Sequence, residues 1–246
     1  MILAIFLGSL ILLMLLGMPI AFALMLTGIA LMVHLDFFDA QLIAQNMLSG
    51  ADVYPLMAVP CFILAGELMN AGGISRRIIG LASSMVGHIQ GGLGYVAIAA
   101  TLLLGCFSGS ALADTAAVAT LLIPMMRDNG YPVARSAGLI AAGGVIAPIV
   151  PPSMPFIIFG VTTGTSISGL FMAGIVPALL RAAGLVFVWF MISRNMEVTL
   201  QPKSTWKQRG IALVDALWAL MLPVIIVGGM RTGLFTPTEA AAVAAV

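Results

Sequence analysis

The stretch that decides the fold is GGVIAPIVPPSMPFIIFG, residues 143–160. It is almost wholly apolar, yet it holds Pro148, Pro151, Pro152 and Pro155. Proline has no N–H to donate and excludes helix at and just before itself. A continuous membrane helix is therefore excluded here. One half-helix is expected to stop near Ala147 and leave its carbonyls unpaired. The next is expected to start with Ser153 as N-cap and Pro155 in the first turn, where proline is tolerated.

Composition says why a broken apolar segment matters. The chain has 246 residues, of which 61% are hydrophobic and 8% charged. Soluble domains are nearer half apolar and a quarter charged. The sequence therefore reads as an all-α, multi-span membrane protein embedded in a lipid bilayer. A net charge of +1 offers no basic surface for nucleic acid. Cys61 and Cys106 lie in apolar runs without CxxC or Cys/His spacing, so neither a disulfide framework nor a zinc site is expected. No GxxxxGK[ST] occurs, which argues against ATP hydrolysis by this chain. The N-terminal run lacks a basic region and a small-residue cleavage site, and is read as retained.

Working outward, residues 2–33 form one long apolar segment interrupted at Gly17-Met18-Pro19, either a kinked helix or two short ones. Residues 35–48 suit an interfacial helix. Residues 53–70, 168–193 and 212–230 read as spans, the last two separated by a polar link with Lys203, Lys207 and Arg209. Residues 74–87 look amphipathic. Residues 91–126 are apolar but interrupted by FSGSALAD, residues 107–114. If that stretch enters and returns on one face, eight of the ten basic residues fall in the cytoplasm, with the N-terminus inside. A single crossing would turn the Lys203–Arg209 cluster outward. The charge count therefore favours a re-entrant helical hairpin followed by a discontinuous helix.

Small polar residues at membrane depth must be buried in protein or line a watery cavity. The first arm of the hairpin ends at its tip with carbonyls, and the second begins there with N–H groups. Ser110 or Ser108 could cap the second arm. Paired broken elements of this kind hold coupling ions and anionic substrates in secondary transporters.

Four stretches carry a family resemblance along nearly the whole chain: SGSALADTAAV (108–118), the proline segment from Gly138 to Gly160, VPCFILAGELMNAGGISRRI (59–78) and GLFTPTEAAAVAAV (233–246). Together they resemble the large permease subunit of tripartite ATP-independent periplasmic (TRAP) transporters. The resemblance implies an ion-transporter fold of two inverted repeats, each with a re-entrant hairpin and a discontinuous helix. It implies elevator-type movement of a small organic acid, such as a sugar acid, driven by sodium as coupling ion and without any other cofactor. It implies a small four-helix permease subunit and a periplasmic substrate-binding protein as partners, in a bacterial inner membrane. Four segments follow: 1–73, scaffold spans with the interfacial helix; 74–166, the transport-type element; 167–231, further spans with a cytoplasmic linker; and 232–246, the start of a second repeat, the chain being expected to continue. Carried onto this sequence, Ser108, Gly109, Ser110, Ala147, Ile149, Val150 and Pro152 would form a sodium site. Ala111, Asp114, Ser153 and Met154 would border the substrate.

Other residues carry weaker signals. Asp114 is a membrane carboxylate, either functional or seated near a positive helix end. Glu67 reads as structural. Arg181 could snorkel or meet an acidic partner. His34 and His88 sit at predicted span ends. Two other functions remain open on sequence: a non-transporting scaffold, and an intramembrane enzyme, which would need a second titratable group beside Asp114.

Overall fold

The computed structural model describes residues 1–245, with the side chains of Phe107, Ser108 and Ala245 outside that description. Every regular element among them is helical. The chain divides into two compact units, Met1–Val53 and Tyr54–Val246.

In the first unit, α1 (Ile2–Leu15) and α2 (Ile20–His34) lie side by side. Gly17 turns the chain at φ +79°, and Pro19 precedes α2. Ser9 Oγ donates to Thr27 Oγ1 at 3.3 Å, pairing residues nine positions either side of Met18. The segment is thus two short helices folded back on each other. At 1.5 Å per residue each is roughly 21–23 Å long, less than a bilayer core of about 30 Å. α3 (Ala40–Ala51) is capped by Asp39, whose carboxylate accepts from the Gln41 and Leu42 N–H groups. It is exposed along nearly its whole length.

The second unit is built around four closely packed helices: α5 (Ile74–Val86), α6 (Gly92–Ser108), α7 (Ala111–Asp128) and α8 (Val133–Gly144). α5 is amphipathic as expected, burying Ser75, Ile78, Ile79, Leu81 and Ala82 while Arg76 and Arg77 stay exposed. α6 and α7 form the anticipated hairpin, with arms of 17 and 18 residues. Val96, Val118, Leu122, Met126 and Ile140 fill the core between them.

Two long helices, α10 (Ile167–Ser193) and α11 (Trp206–Arg231), are apolar enough to cross a membrane, as is Tyr54–Ala71, which contains α4 (Ala58–Ala71). α11 starts earlier than the sequence reading placed it. Thr205 and Gln208 form a reciprocal capping box, so Lys207 and Arg209 lie on the helix rather than in a link. α12 (Pro237–Ala245) packs its small face, Ala240, Ala241 and Ala244, against Ala58, Phe62 and Ala65 of α4. Small residues allow that close approach.

The base of the hairpin is pinned to the end of α10. Trp189 is buried, donates Nε1–H to the Gly91 carbonyl at 2.8 Å and stacks on Tyr131 with ring centres 6.3 Å apart. Gly94 makes room: a Cβ there would lie 2.0 Å from the indole. Gln90 Nε2 donates to the Met196 carbonyl, and Thr199 N donates to the Asn129 carbonyl.

Candidate functional site: the hairpin tip against the proline break

α6 ends because Gly109 takes a left-handed conformation, φ +57°, which glycine adopts without a Cβ penalty. Ser110 then caps α7, its Oγ accepting from Ala113 N at 3.3 Å. Of the two serines that sequence offered for this cap, Ser110 fills it. The side chain of Ser108 lies outside the described residues.

The proline segment breaks in two steps. α8 stops at Gly144, and a 3-10 turn follows over Ala147–Ile149. The chain then runs extended through Val150, a cis Pro151–Pro152 bond and Ser153 before α9 (Met154–Thr163) begins. The two helical pieces are bent by 40°. Ser153 is the N-cap, accepting from Phe156 N at 3.4 Å, and Pro155 sits in the first turn. Both features agree with the sequence reading.

The carbonyls near Ala147 differ from expectation. Ile149 N donates to the Ile146 carbonyl at 2.9 Å, and Val150 N reaches the Ala147 carbonyl at 3.2 Å. Ser153 Oγ donates to the Pro148 carbonyl. The helix tightens to i→i+3 bonds as it ends, so these oxygens are taken by the segment itself rather than left unpaired. The Ile149 carbonyl lies against Gly174 of α10, where a Cβ would be 2.5 Å away.

The two breaks meet. A Cβ on Gly109 would sit 3.2 Å from both the Pro152 carbonyl oxygen and Met154 N, and 3.3 Å from Ser153 Cα. One turn back, a Cβ on Gly105 would lie 2.7 Å from Ala147 Cα. On the other arm, Gly144 meets Ala111 O and Thr115. Gly109 and residues 150–153 are all buried. This satisfies the rule that irregular backbone at membrane depth must be covered by protein. The junction thus gathers the carbonyl end of α6 and the N-terminal ends of α7 and α9, both capped by serine. Aligned peptide dipoles make the first a place for a cation and the other two a place for an anion.

Asp114 lies in the first turn of α7, one turn from the Ser110 cap. It is 2% exposed and lines a cavity of about 10 Å³ with Gly66, Met69, Asn70, Ile74, Ser75 and Leu104. None of these companions titrates, so the second group that an intramembrane acid–base pair requires is not among them. Glu67 and Arg181 are exposed, on α4 and α10, while His34 closes α2 and His88 lies half-buried between α5 and α6. Asn70 and Ser75 were not singled out by the sequence, and their meeting with Asp114 is created by packing alone.

Residues 7–246 match the family model described as tripartite ATP-independent periplasmic transporter, DctM component. The chain belongs to that family. Relatives of the DctM component agree. The 2,3-diketo-L-gulonate TRAP transporter large permease protein YiaN of Escherichia coli (strain K12) is 56% identical over 241 residues, covering 98% of this chain and 57% of the relative. The sialic acid TRAP transporter large permease protein SiaM of Vibrio cholerae is 44% identical, covering 92% of this chain and 53% of the relative. The C4-dicarboxylate TRAP transporter large permease protein DctM of Rhodobacter capsulatus is 36% identical, covering 97% and 58%. The chain spans little more than half the length of these relatives.

Proposed function

We propose that this chain is part of the permease of a sodium-coupled, binding-protein-dependent secondary transporter that imports a small organic acid, a sugar acid in particular. The observation that carries this reading is the contact of Gly109 with Pro152, Ser153 and Met154. Helix N-terminal ends can attract a carboxylate through partial positive charge without any fixed cation. The N-terminal ends of α7 and α9 offer that partial charge, and the oxygens at the end of α6 suit the coupling cation. The three relatives named above carry names with organic acids in common, which supports the substrate class.

Sodium would sit at the tip among Gly109, Ser110 and the backbone from Val150 to Pro152. Substrate would lie beside Ala111, Ser153 and Met154. The hairpin, pinned at its base to α10, would move as one body in an elevator-type step. The working transporter would include the remainder of the permease, a small four-helix subunit and a periplasmic binding protein, in a bacterial inner membrane. Uptake of labelled sugar acid into sealed vesicles tests this, using the complete permease with both partners. Uptake should fall to background when the sodium gradient is collapsed at constant membrane potential. Uptake indifferent to sodium overturns the reading.

A further inference from the structure

Lys203, Trp206, Lys207 and Arg209 gather where α11 begins, just before its apolar body. α11 packs against α5. Between them lies a groove of about 440 Å³, walled by Leu81 and Met85 of α5 and by Trp206, Arg209, Gly210 and Leu213 of α11. Arg209 brings the one charge in that lining among the described residues. Met85 and Trp206 are exposed, so the groove opens on the outer surface of the helix pair.

Arg209 is held in place rather than left free. Its Nε–H donates to the Ser84 carbonyl at 3.2 Å, and its guanidinium lies over the Trp206 ring, 5.3 Å from the centroid. The remaining N–H donors keep the planar fork that matches a phosphate. Among the described residues the one ion pair joins Arg127 to Asp128, so no carboxylate competes for the fork.

Charge and polarity together select the occupant. Tryptophan and basic side chains settle at headgroup level in a membrane, and α11 is apolar enough to cross one. Leu213 lies one turn further along than Arg209, about 6 Å at 1.5 Å per residue. A chain attached to a phosphate on the guanidinium would therefore enter the apolar part of the groove directly. A free anion would satisfy the fork but leave Leu81, Met85 and Leu213 uncovered, whereas a lipid covers both.

We propose that this groove binds an anionic phospholipid, with its phosphate on Arg209 and an acyl chain along Leu81, Met85 and Leu213. The competing role of Arg209 is structural, a tie from α11 to α5 through Ser84, and that tie uses the Nε–H alone.

The test places the complete permease in phosphatidylcholine bilayers containing chain-brominated phosphatidylglycerol or, for comparison, chain-brominated phosphatidylcholine. Quenching of Trp206 fluorescence is read as the difference between each protein and its Trp206→Phe counterpart. Wild type should prefer phosphatidylglycerol by about fivefold, the size expected of one basic side chain at an anionic surface. Arg209→Gln keeps an N–H donor at the position of Nε but removes the charge, so it should abolish the preference and keep the melting temperature near that of wild type. Lys207→Gln removes the same charge outside the groove and should retain most of the preference. Gly210→Leu fills the groove from a position where a Cβ meets nothing within 4 Å, and should bring quenching by phosphatidylglycerol down to the phosphatidylcholine level. No preference in wild type, or an unchanged one in Arg209→Gln or Gly210→Leu, overturns the site. Equal losses in Lys207→Gln and Arg209→Gln would mark a diffuse basic surface and overturn it too. If Arg209→Gln does not fold, Gly210→Leu decides. Inorganic phosphate should leave the quenching unchanged, and displacement by it would assign the fork to a soluble anion and overturn the lipid. The proposal draws on the membrane setting but not on transport. Sodium-dependent uptake without a lipid preference would fail this site alone, and the reverse result would fail the transport reading alone.

Discussion

Replacing Gly105 by alanine sets two effects of known size against each other. In a helix interior, glycine to alanine gains about 0.8–1.0 kcal/mol from propensity. Here the new Cβ would lie 2.7 Å from Ala147 Cα and 3.0 Å from Ala147 Cβ. Non-bonded carbons prefer about 3.5–4.0 Å, so α6 and the 3-10 turn must part by roughly 1 Å. The obstacle is backbone, which no rotamer change relieves. Overpacking of this kind costs about 1–3 kcal/mol, which outweighs the propensity gain. Gly138 in α8 is the control, since a Cβ there meets nothing within 4 Å. Both are helical glycines, so propensity cancels between the two variants and their difference reads the crowding alone, about 1–3 kcal/mol. Thermal denaturation of the complete permease should place Gly105→Ala several degrees below Gly138→Ala. Uptake should fall in the first and persist in the second, because only the first pushes the tip from the break. Equal or higher stability of Gly105→Ala, with full uptake, would refute the packing of these two elements.

Three further outcomes follow from the structure. Topology reporters placed before Met1 and within residues 36–38 should report the same membrane face, because α1 and α2 fold back through the Ser9–Thr27 contact; opposite faces would mean one crossing. Trp189→Phe removes the indole donor from the buried Gly91 carbonyl and should destabilise the permease by about 1–3 kcal/mol in thermal or denaturant unfolding; an unchanged midpoint would show that the pin at the hairpin base carries nothing. Glu239 accepts from Thr236 N at 2.7 Å and Thr236 Oγ1 at 2.8 Å, and the backbone bond first, then the hydroxyl, hold its carboxyl below the ordinary value. A depressed pKa means that its support for α12 is present above the ordinary carboxylate value and lost as pH falls through the lower folded one. Amides at the start of α12, corrected for intrinsic exchange, should therefore lose protection in acid and, in Glu239→Ala, already at neutral pH.

What sequence made legible was the chemistry that acts within a few residues. A glycine followed by serine ended one arm and capped the next, as Gly109 and Ser110 do. The prolines broke the second element, and Ser153 with Pro155 restarted it. Thr205 and Gln208 were equally local, but their capping box lay in a polar stretch that read as a link. What sequence hid depends on distance along the chain. Gly17-Met18-Pro19 is compatible with a kink or a reversal, and only the pairing of Ser9 with Thr27 chooses reversal. The carbonyl bookkeeping at residues 146–148 turned on how far the helix tightened before stopping, which residue types do not specify. The pin of Trp189 on Gly91 joins positions 98 residues apart.

Asp114 shows how these scales combine. Its place four residues after Ser110 fixes its depth, about 6 Å along α7 from the cap at 1.5 Å per residue. The same rigid arm therefore carries both the tip and the carboxylate. The walls of the carboxylate's chamber come largely from α4 and α5, whereas the walls of the tip come from the proline segment. A displacement of the hairpin relative to α4 would therefore change both surroundings together, because one rigid helix carries the tip at one end and the buried carboxylate a turn further on.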